Sequence, residues 1–230
     1  MIVPTVVFDL DGTLVDTAPD LVATLNVVLG REGLPPVAYE IARNMVGGGA
    51  RLMLECGLKT QGRRLAPSDL ERLVGDFIAH YAAHIAERSL PFPGLAAALD
   101  DLVAHGCRLA VCTNKLEWLS VRLLDLLGLS QHFVAICGPD TFGMKKPDPG
   151  LLQRTIAQAG GRIDRAVMVG DSATDVLTAR AAGVPVVAVA YGYSETPAAE
   201  LGADRVIGAL SDLPAAVFGL MGAEARGAVP

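Results

Sequence analysis

The sequence predicts an α/β chain, with a mostly parallel sheet covered by helices on both faces and an all-helical segment inserted near its start. Three observations carry this. Five short, nearly continuous apolar segments recur, Thr5–Leu10, Arg108–Thr113, Val134–Gly138, Ala166–Gly170 and Pro185–Ala190, as expected of strands covered on both sides. Helical patterns alternate with the later strands, the signature of a parallel sheet. Between Leu14 and about Pro91 there is no strand pattern, only amphipathic helix.

The chain has 230 residues, enough for one domain with a sizeable insertion, and 51% of them are hydrophobic. Its net charge of −6 and lack of any Lys/Arg block argue against a nucleic-acid partner. Asp9 and Asp11 interrupt the first apolar run, so it does not read as a signal peptide. The longest apolar stretch, Leu213 to Ala223, falls short of the roughly 20 residues that span a bilayer. Cys56, Cys107, Cys112 and Cys137 form no C-x-x-C pair and read as buried thiols of a cytoplasmic protein. No heptad repeat or broad apolar face singles out an interface, which leaves a monomer or homodimer.

Element by element, Val6-Val7-Phe8 forms a first strand that ends at Asp9. Thr17-Ala18-Pro19-Asp20 then opens a helix, with Thr17 as its cap, followed by an apolar stripe of Leu21, Leu25, Val28 and Leu29. Ser68-x-x-Glu71 reads as a capping box for a long helix with Leu70, Leu73, Val74, Phe77, Ile78, Tyr81 and Ile85 inward. These segments predict a catalytic core of residues 1–14 and 92–230 and a second, helical domain over 15–91, hinged near Val15–Asp16 and Leu90–Gly94. Four later helices follow, with faces of Leu95, Leu99, Leu102 and Val103; Leu119, Leu123, Leu124 and Leu127; Leu151, Leu152 and Ile156; and Val176, Leu177 and Ala181. The tail Gly222–Pro230 is expected to fray.

The polar residues of interest all follow strands. Asp9, Asp11 and Thr13 follow the first, Thr113-Asn114-Lys115 the second, and Asp171 and Ser172 the fourth, with Asp175 one turn later. Lys145-Lys146-Pro147-Asp148-Pro149 opens a helix after the third. In an open parallel sheet, ligands collect at the carboxyl ends of the strands, so these groups converge on one edge. Asp9 and Asp11 stand two residues apart and repel unless a positive group lies between them or one holds a proton. An all-oxygen set favours Mg²⁺, with Asp9, Asp171 and the main-chain carbonyl of Asp11 as ligands. Thr113 and Asn114 can donate to phosphate oxygens, and a lysine can neutralise them. Such a set suits phosphoryl transfer, with one carboxylate as nucleophile and a second as acid/base.

Asp9-Leu10-Asp11-Gly12-Thr13-Leu14, Thr113-Asn114, Lys146-Pro147-Asp148-Pro149 and Gly170-Asp171-Ser172-x-x-Asp175 occur in the order and spacing of a known family. In these motifs the chain resembles the haloacid dehalogenase-like hydrolases over essentially its whole length. The resemblance implies a Rossmann-like core with a helical cap, Asp9 as nucleophile and Asp11 as acid/base. It implies phosphate binding by Thr113, Asn114 and Lys146, and a Mg²⁺ site at Asp9, Asp11 and Asp171 supported by Asp175 and Ser172. Lys145 is read as a solvated neighbour.

Within that family, Met45-Val46-Gly47-Gly48-Gly49-Ala50, Cys137-Gly138-Pro139-Asp140 and Ala190-Tyr191-Gly192-Tyr193 are similar to phosphoglycolate phosphatases. Such enzymes often carry Gly-Asn-Gly where this chain has Gly47-Gly48-Gly49. The similarity implies hydrolysis of 2-phosphoglycolate to glycolate and phosphate. Another small phosphorylated metabolite (a sugar phosphate or pyrophosphate) or a sugar-phosphate mutase reaction is the alternative within the same chemistry. A phospho-receiver or binding protein fits less well, because neither needs Asp-x-Asp-Gly-Thr followed by a helical domain.

The inserted segment offers fewer signals. Gly47-Gly48-Gly49 reads either as a loop whose bare amides approach substrate or as a plain turn. Arg51 is a candidate partner for a substrate carboxylate, although most arginines at helix starts face solvent. His80 and His84 share a helix face, but no acid ligand is identified nearby, so they read as surface histidines.

Overall fold

The computed structural model describes residues 3–227. A six-stranded sheet is ordered β5-β4-β1-β6-β7-β8, and every pairing within it is parallel. Its strands are β1 (Thr5–Phe8), β4 (Arg108–Cys112), β5 (Phe133–Cys137), β6 (Ala166–Gly170), β7 (Val186–Val189) and β8 (Arg205–Ile207). Between β1 and β4 lie a two-residue antiparallel pair, β2 (Val15–Asp16) with β3 (Leu90–Pro91), and the helices α1 (Ala18–Arg31), α2 (Tyr39–Ala42), α3 (Ala50–Thr60) and α4 (Pro67–Ala83). The remaining helices are α5 (Leu95–Ala104), α6 (Glu117–Leu126), α7 (Pro139–Phe142), α8 (Pro149–Gln158), α9 (Ala173–Ala182) and α10 (Leu213–Gly227).

Side chains alternate across the central strand. Val6 and Phe8 pack with α5, α6 and α10 on one face, and Val7 packs with α8 and α9 on the other. All three are fully buried, so β1 sits at the centre of a three-layer core. Burying each such side chain contributes about 1.5–3 kcal/mol. This position leaves Asp9 at the middle of the sheet edge, flanked by the ends of β4 and β6.

The insertion leaves and re-enters the core through β2 and β3. Asp20 on α1 clamps the return: its carboxylate accepts from the Arg88 N–H at 3.0 Å, the Ser89 N–H at 2.9 Å and the Ser89 hydroxyl at 2.7 Å. On α1, Leu21, Leu25, Val28 and Leu29 are buried as expected, and they pack with Leu73, Phe77 and Tyr81 of α4.

Several sequence expectations are corrected. A sixth strand, β8, joins the sheet. Thr17 sits at the start of α1 without a side-chain capping bond, because its hydroxyl donates to Asp11 Oδ1 at 2.7 Å. Ser68 is no cap: α4 begins one residue earlier, at Pro67, after Ala66, where proline needs no N–H partner. On α9 the inward face is Asp175, Val176, Thr178, Ala179 and Ala182, and Leu177 is exposed. On α5, Val103 is likewise exposed. α10 runs to Gly227, and residues 228–230 of the tail Gly222–Pro230 lie outside the described residues. Among the described residues, no helix is long and apolar enough to cross a membrane. The four cysteines are free, and three of them are buried.

Candidate active site

The loop after β1 turns tightly on itself. The N–H groups of Leu14 and Val15 both donate to the Leu10 carbonyl, at 3.0 and 3.1 Å, and Gly12 N–H donates to Val15 O at 3.0 Å. Gly12 has φ 85°, and a Cβ there would stand 2.5 Å from Asp171 Oδ2. Only glycine tolerates both the left-handed backbone and that approach.

Asp9, Asp171 and Asp175 are all buried, and a carboxylate oxygen from each lies within 4.8 Å of the others. One buried cation faces this group. Lys146 Nζ stands 2.8 Å from Asp9 Oδ1 and 2.6 Å from Asp175 Oδ1. Asp175 Oδ2 accepts from the Ser172 N–H at 3.1 Å and the Ser172 hydroxyl at 2.7 Å, closing a capping box at the start of α9. Asp171 accepts from Tyr193 N–H at 2.7 Å and from the Thr13 hydroxyl at 3.3 Å.

Three carboxylates against one ammonium leave negative charge in excess. Burial pushes Asp171 up to about 8, with the charges of Asp175 and Asp9 adding to it and the Tyr193 N–H and Lys146 opposing. Burial also pushes Asp9 up to about 6, against the lowering effect of Lys146. Burial alone would lower the Lys146 ammonium, but Asp175 and Asp9 outweigh it and hold it above the ordinary lysine value. Among the described residues, Asp9 Oδ1 has no aligned hydrogen-bond donor despite its closeness to Lys146. A buried, all-oxygen cluster with negative charge in excess fits a hard divalent cation.

Asp11 is separated from this cluster. Its carboxylate receives Lys115 Nζ on both oxygens, at 2.7 and 2.9 Å, and the Thr17 hydroxyl. Its carboxylate is therefore not with those of Asp9 and Asp171. Asp175, expected outside the ligands, brings its carboxylate there instead, but both its oxygens are occupied by Lys146 and Ser172. The repulsion expected within Asp-x-Asp is relieved by two lysines, one for each acid. The sequence places Lys115 directly after Thr113-Asn114 but assigns it no role of its own; the structure makes it the partner of Asp11.

The other expected residues fall as follows. Thr113 is buried at the end of β4, and its hydroxyl accepts from Lys115 N–H at 3.2 Å. The Asn114 carboxamide, expected on phosphate, is engaged elsewhere. It donates to Gly47 O at 3.2 Å and Lys146 O at 3.3 Å and accepts from Lys146 N–H at 2.9 Å, so it braces two loops. Gly47, Gly48 and Gly49 border a cavity of about 320 Å³ between the inserted helices and the sheet edge, together with Asp11, Asn114, Lys115 and Tyr81. Arg51 also borders it but pairs with Glu71 at an exposed position. Lys145 is exposed, as expected. His80 and His84 stack with ring centroids 4.4 Å apart. His80 Nδ1 lies 3.3 Å from the Thr24 hydroxyl and His84 pairs with Glu87 at 2.7 Å. Among the described residues, only Asp9, Asp171 and Asp175 form a metal-type cluster.

A profile of the haloacid dehalogenase-like hydrolases matches residues 6–189. The chain belongs to this family. As a haloacid dehalogenase-like hydrolase it is 49% identical over 217 residues to a phosphoglycolate phosphatase of Caulobacter vibrioides, covering 94% of this chain and 92% of that one. It is 46% identical over 215 residues to a phosphoglycolate phosphatase of Agrobacterium fabrum, covering 94% and 92%. Among solved structures, a predicted phosphoglycolate phosphatase from Haemophilus somnus superposes with a TM-score of 0.86 at 26% identity, covering 93% of this hydrolase and 97% of that chain.

Proposed function

We propose that this hydrolase is a Mg²⁺-dependent phosphatase that converts 2-phosphoglycolate to glycolate and phosphate, with Asp9 as nucleophile and Asp11 as acid/base. The observation that carries the mechanism is the division of Asp9 and Asp11 between two different lysines. The substrate rests on the names of relatives that are nearly half identical over almost the whole chain.

Asp9 is held by Lys146 from one side, and its carboxylate attacks phosphorus as the bond to the ester oxygen breaks. Asp11, turned away from the three-carboxylate cluster, gives a proton to the departing glycolate oxygen. Water then attacks the phosphorus of the aspartyl-phosphate and Asp11 takes its proton, so that phosphate leaves and the Asp9 carboxylate is restored. The Thr113 hydroxyl and Lys146 ammonium stabilise the phosphoryl oxygens. Asp9, Asp171 and the Asp11 main-chain carbonyl would hold Mg²⁺, which when bound neutralises phosphoryl charge. Asp175 and Ser172 position this set through Lys146 and the start of α9.

Residues 15–91 act in this proposal as a cap domain that closes over the edge of the core. A cytoplasmic setting belongs to it as well, supported by four free cysteines.

The test is steady-state hydrolysis of a phosphomonoester panel that includes 2-phosphoglycolate and pyrophosphate, with and without Mg²⁺. Turnover that requires Mg²⁺ and is greatest on 2-phosphoglycolate is expected. Equal kcat/KM across the panel would remove the substrate assignment, and full activity in Asp9→Asn would remove the nucleophile.

A further inference from the structure

Tyr81 on α4 is 1% exposed, and apart from the nearby Lys115 ammonium its hydroxyl has no aligned hydrogen-bond partner among the described residues. A buried polar group without its full set of partners is costly to leave so. The Lys115 ammonium lies 4.6 Å from the centre of the same ring. Lys115 and Lys146 are the two buried basic side chains among the described residues, and Lys146 faces Asp9 and Asp175 instead. Tyr81 and Lys115 both border the cavity beside Asp11. Much of the remaining wall is apolar, with Met53, Phe77 and Leu119.

We infer that the Tyr81 hydroxyl and the Lys115 ammonium together bind the carboxylate of the substrate, making them the residues that select a phosphorylated acid over a neutral phosphomonoester. This rests on the phosphoglycolate reading above and names the groups that execute it. The ester oxygen must meet Asp11 to receive its proton, and Lys115 already contacts both Asp11 oxygens. In 2-phosphoglycolate the carboxyl carbon is two covalent bonds from that oxygen, which brings the second anion beside Lys115. A carboxylate entering this largely apolar wall needs donors, and the Tyr81 O–H, which has no acceptor among the described residues, offers one. Arg51, the alternative anchor, is tied to Glu71 at the surface. One selecting group comes from the inserted helices and the other from the sheet core, so the correct substrate joins the two.

The experiment compares kcat and KM for 2-phosphoglycolate and ethyl phosphate, which replaces the carboxylate with a methyl group, in wild type, Tyr81→Phe and Lys115→Gln. Thermal melting verifies folding. A hydrogen bond to a charged group contributes about 1.5–3 kcal/mol, or roughly 10- to 150-fold in binding. Tyr81→Phe is therefore expected to lower the 2-phosphoglycolate/ethyl phosphate ratio of kcat/KM at least ten-fold, chiefly through KM. Lys115→Gln slows both substrates through Asp11 but lowers the same ratio, and it decides the matter if Tyr81→Phe does not fold. An unchanged ratio in the folded variants, with wild type preferring 2-phosphoglycolate, overturns this assignment alone. A wild type that does not turn over 2-phosphoglycolate overturns the substrate reading and this assignment with it.

Discussion

Tyr193 joins the metal-type cluster to the root of the helical insertion: its backbone N–H donates to Asp171 Oδ2 at 2.7 Å, and its hydroxyl donates to Asp16 at 2.6 Å. The same hydroxyl accepts from Ala18 N–H at 3.0 Å. Arg43, from the turn after α2, covers the ring at 5.0 Å and donates to Gly192 O at 2.9 Å. The loop after β7 therefore touches both the carboxylates and the inserted helices.

That loop packs its backbone directly against the Asp171 side chain. A Cβ at Gly192 would stand 2.1 Å from Asp171 Cβ, so Gly192→Ala must displace the carboxylate or the loop. Shifts in the groups that orient a ligand lower metal affinity about 10- to 100-fold. A Mg²⁺ titration of activity is expected to move to higher concentration by that order in Gly192→Ala. An unmoved titration would mean that the loop yields without disturbing Asp171.

Asp175 holds Lys146 in a fully buried pair. Removing one partner of such a pair costs about 3–5 kcal/mol, because the remaining charge stays buried. Asp175→Asn is expected to lose stability of this order in urea denaturation, together with most of its activity. A loss below about 1 kcal/mol would show that Asp9 alone suffices for the lysine.

In metal-free protein, Asp9 stands at about 6 and Asp171 at about 8, against roughly 3.9 in an unfolded chain. Between those values the native state binds more protons than the unfolded one, so this contribution lowers stability as pH rises. The penalty is absent below about pH 4, grows up to about pH 8 and then levels off. Thermal melts in chelator are expected to show Tm falling from pH 5 to pH 8, and saturating Mg²⁺ to reduce the slope. A chelated protein that becomes more stable over that interval contradicts the raised values.

Asp20 binds three donors of the returning linker through Arg88 and Ser89. Asp20→Ala leaves buried N–H groups unpaired, at about 1–3 kcal/mol each. Hydrogen exchange at Arg88 and Ser89 is expected to accelerate and Tm to fall. Unchanged exchange at both amides would mean that β2 and β3 hold the linker unaided.

Legibility along the chain followed burial. β1, β4, β6 and β7 announced themselves because most of their residues are apolar and covered, and β5 because its residues are all apolar although Val134 is exposed, a pattern local enough to read directly. β8 escaped because it is a three-residue edge strand with Arg205 and Val206 exposed, too short and too polar to stand out. Ser68 and Thr17 both carry capping chemistry, but Pro67 starts α4 earlier and Asp11 draws the Thr17 hydroxyl away.

The sequence by itself determined the parallel sheet, the insertion, the strand-end positions of Asp9, Thr113 and Asp171 and the helix-start position of Lys146, because parallel strands all end on one edge. Only the tertiary structure decided how the charges divide. Lys115 lies 104 residues from Asp11, and Tyr81 meets Lys115 only because α4 folds over the end of β4. Such partners depend on distances between helices and sheet that no local pattern encodes, and burial then makes those distances decisive by removing the water that would otherwise screen each charge.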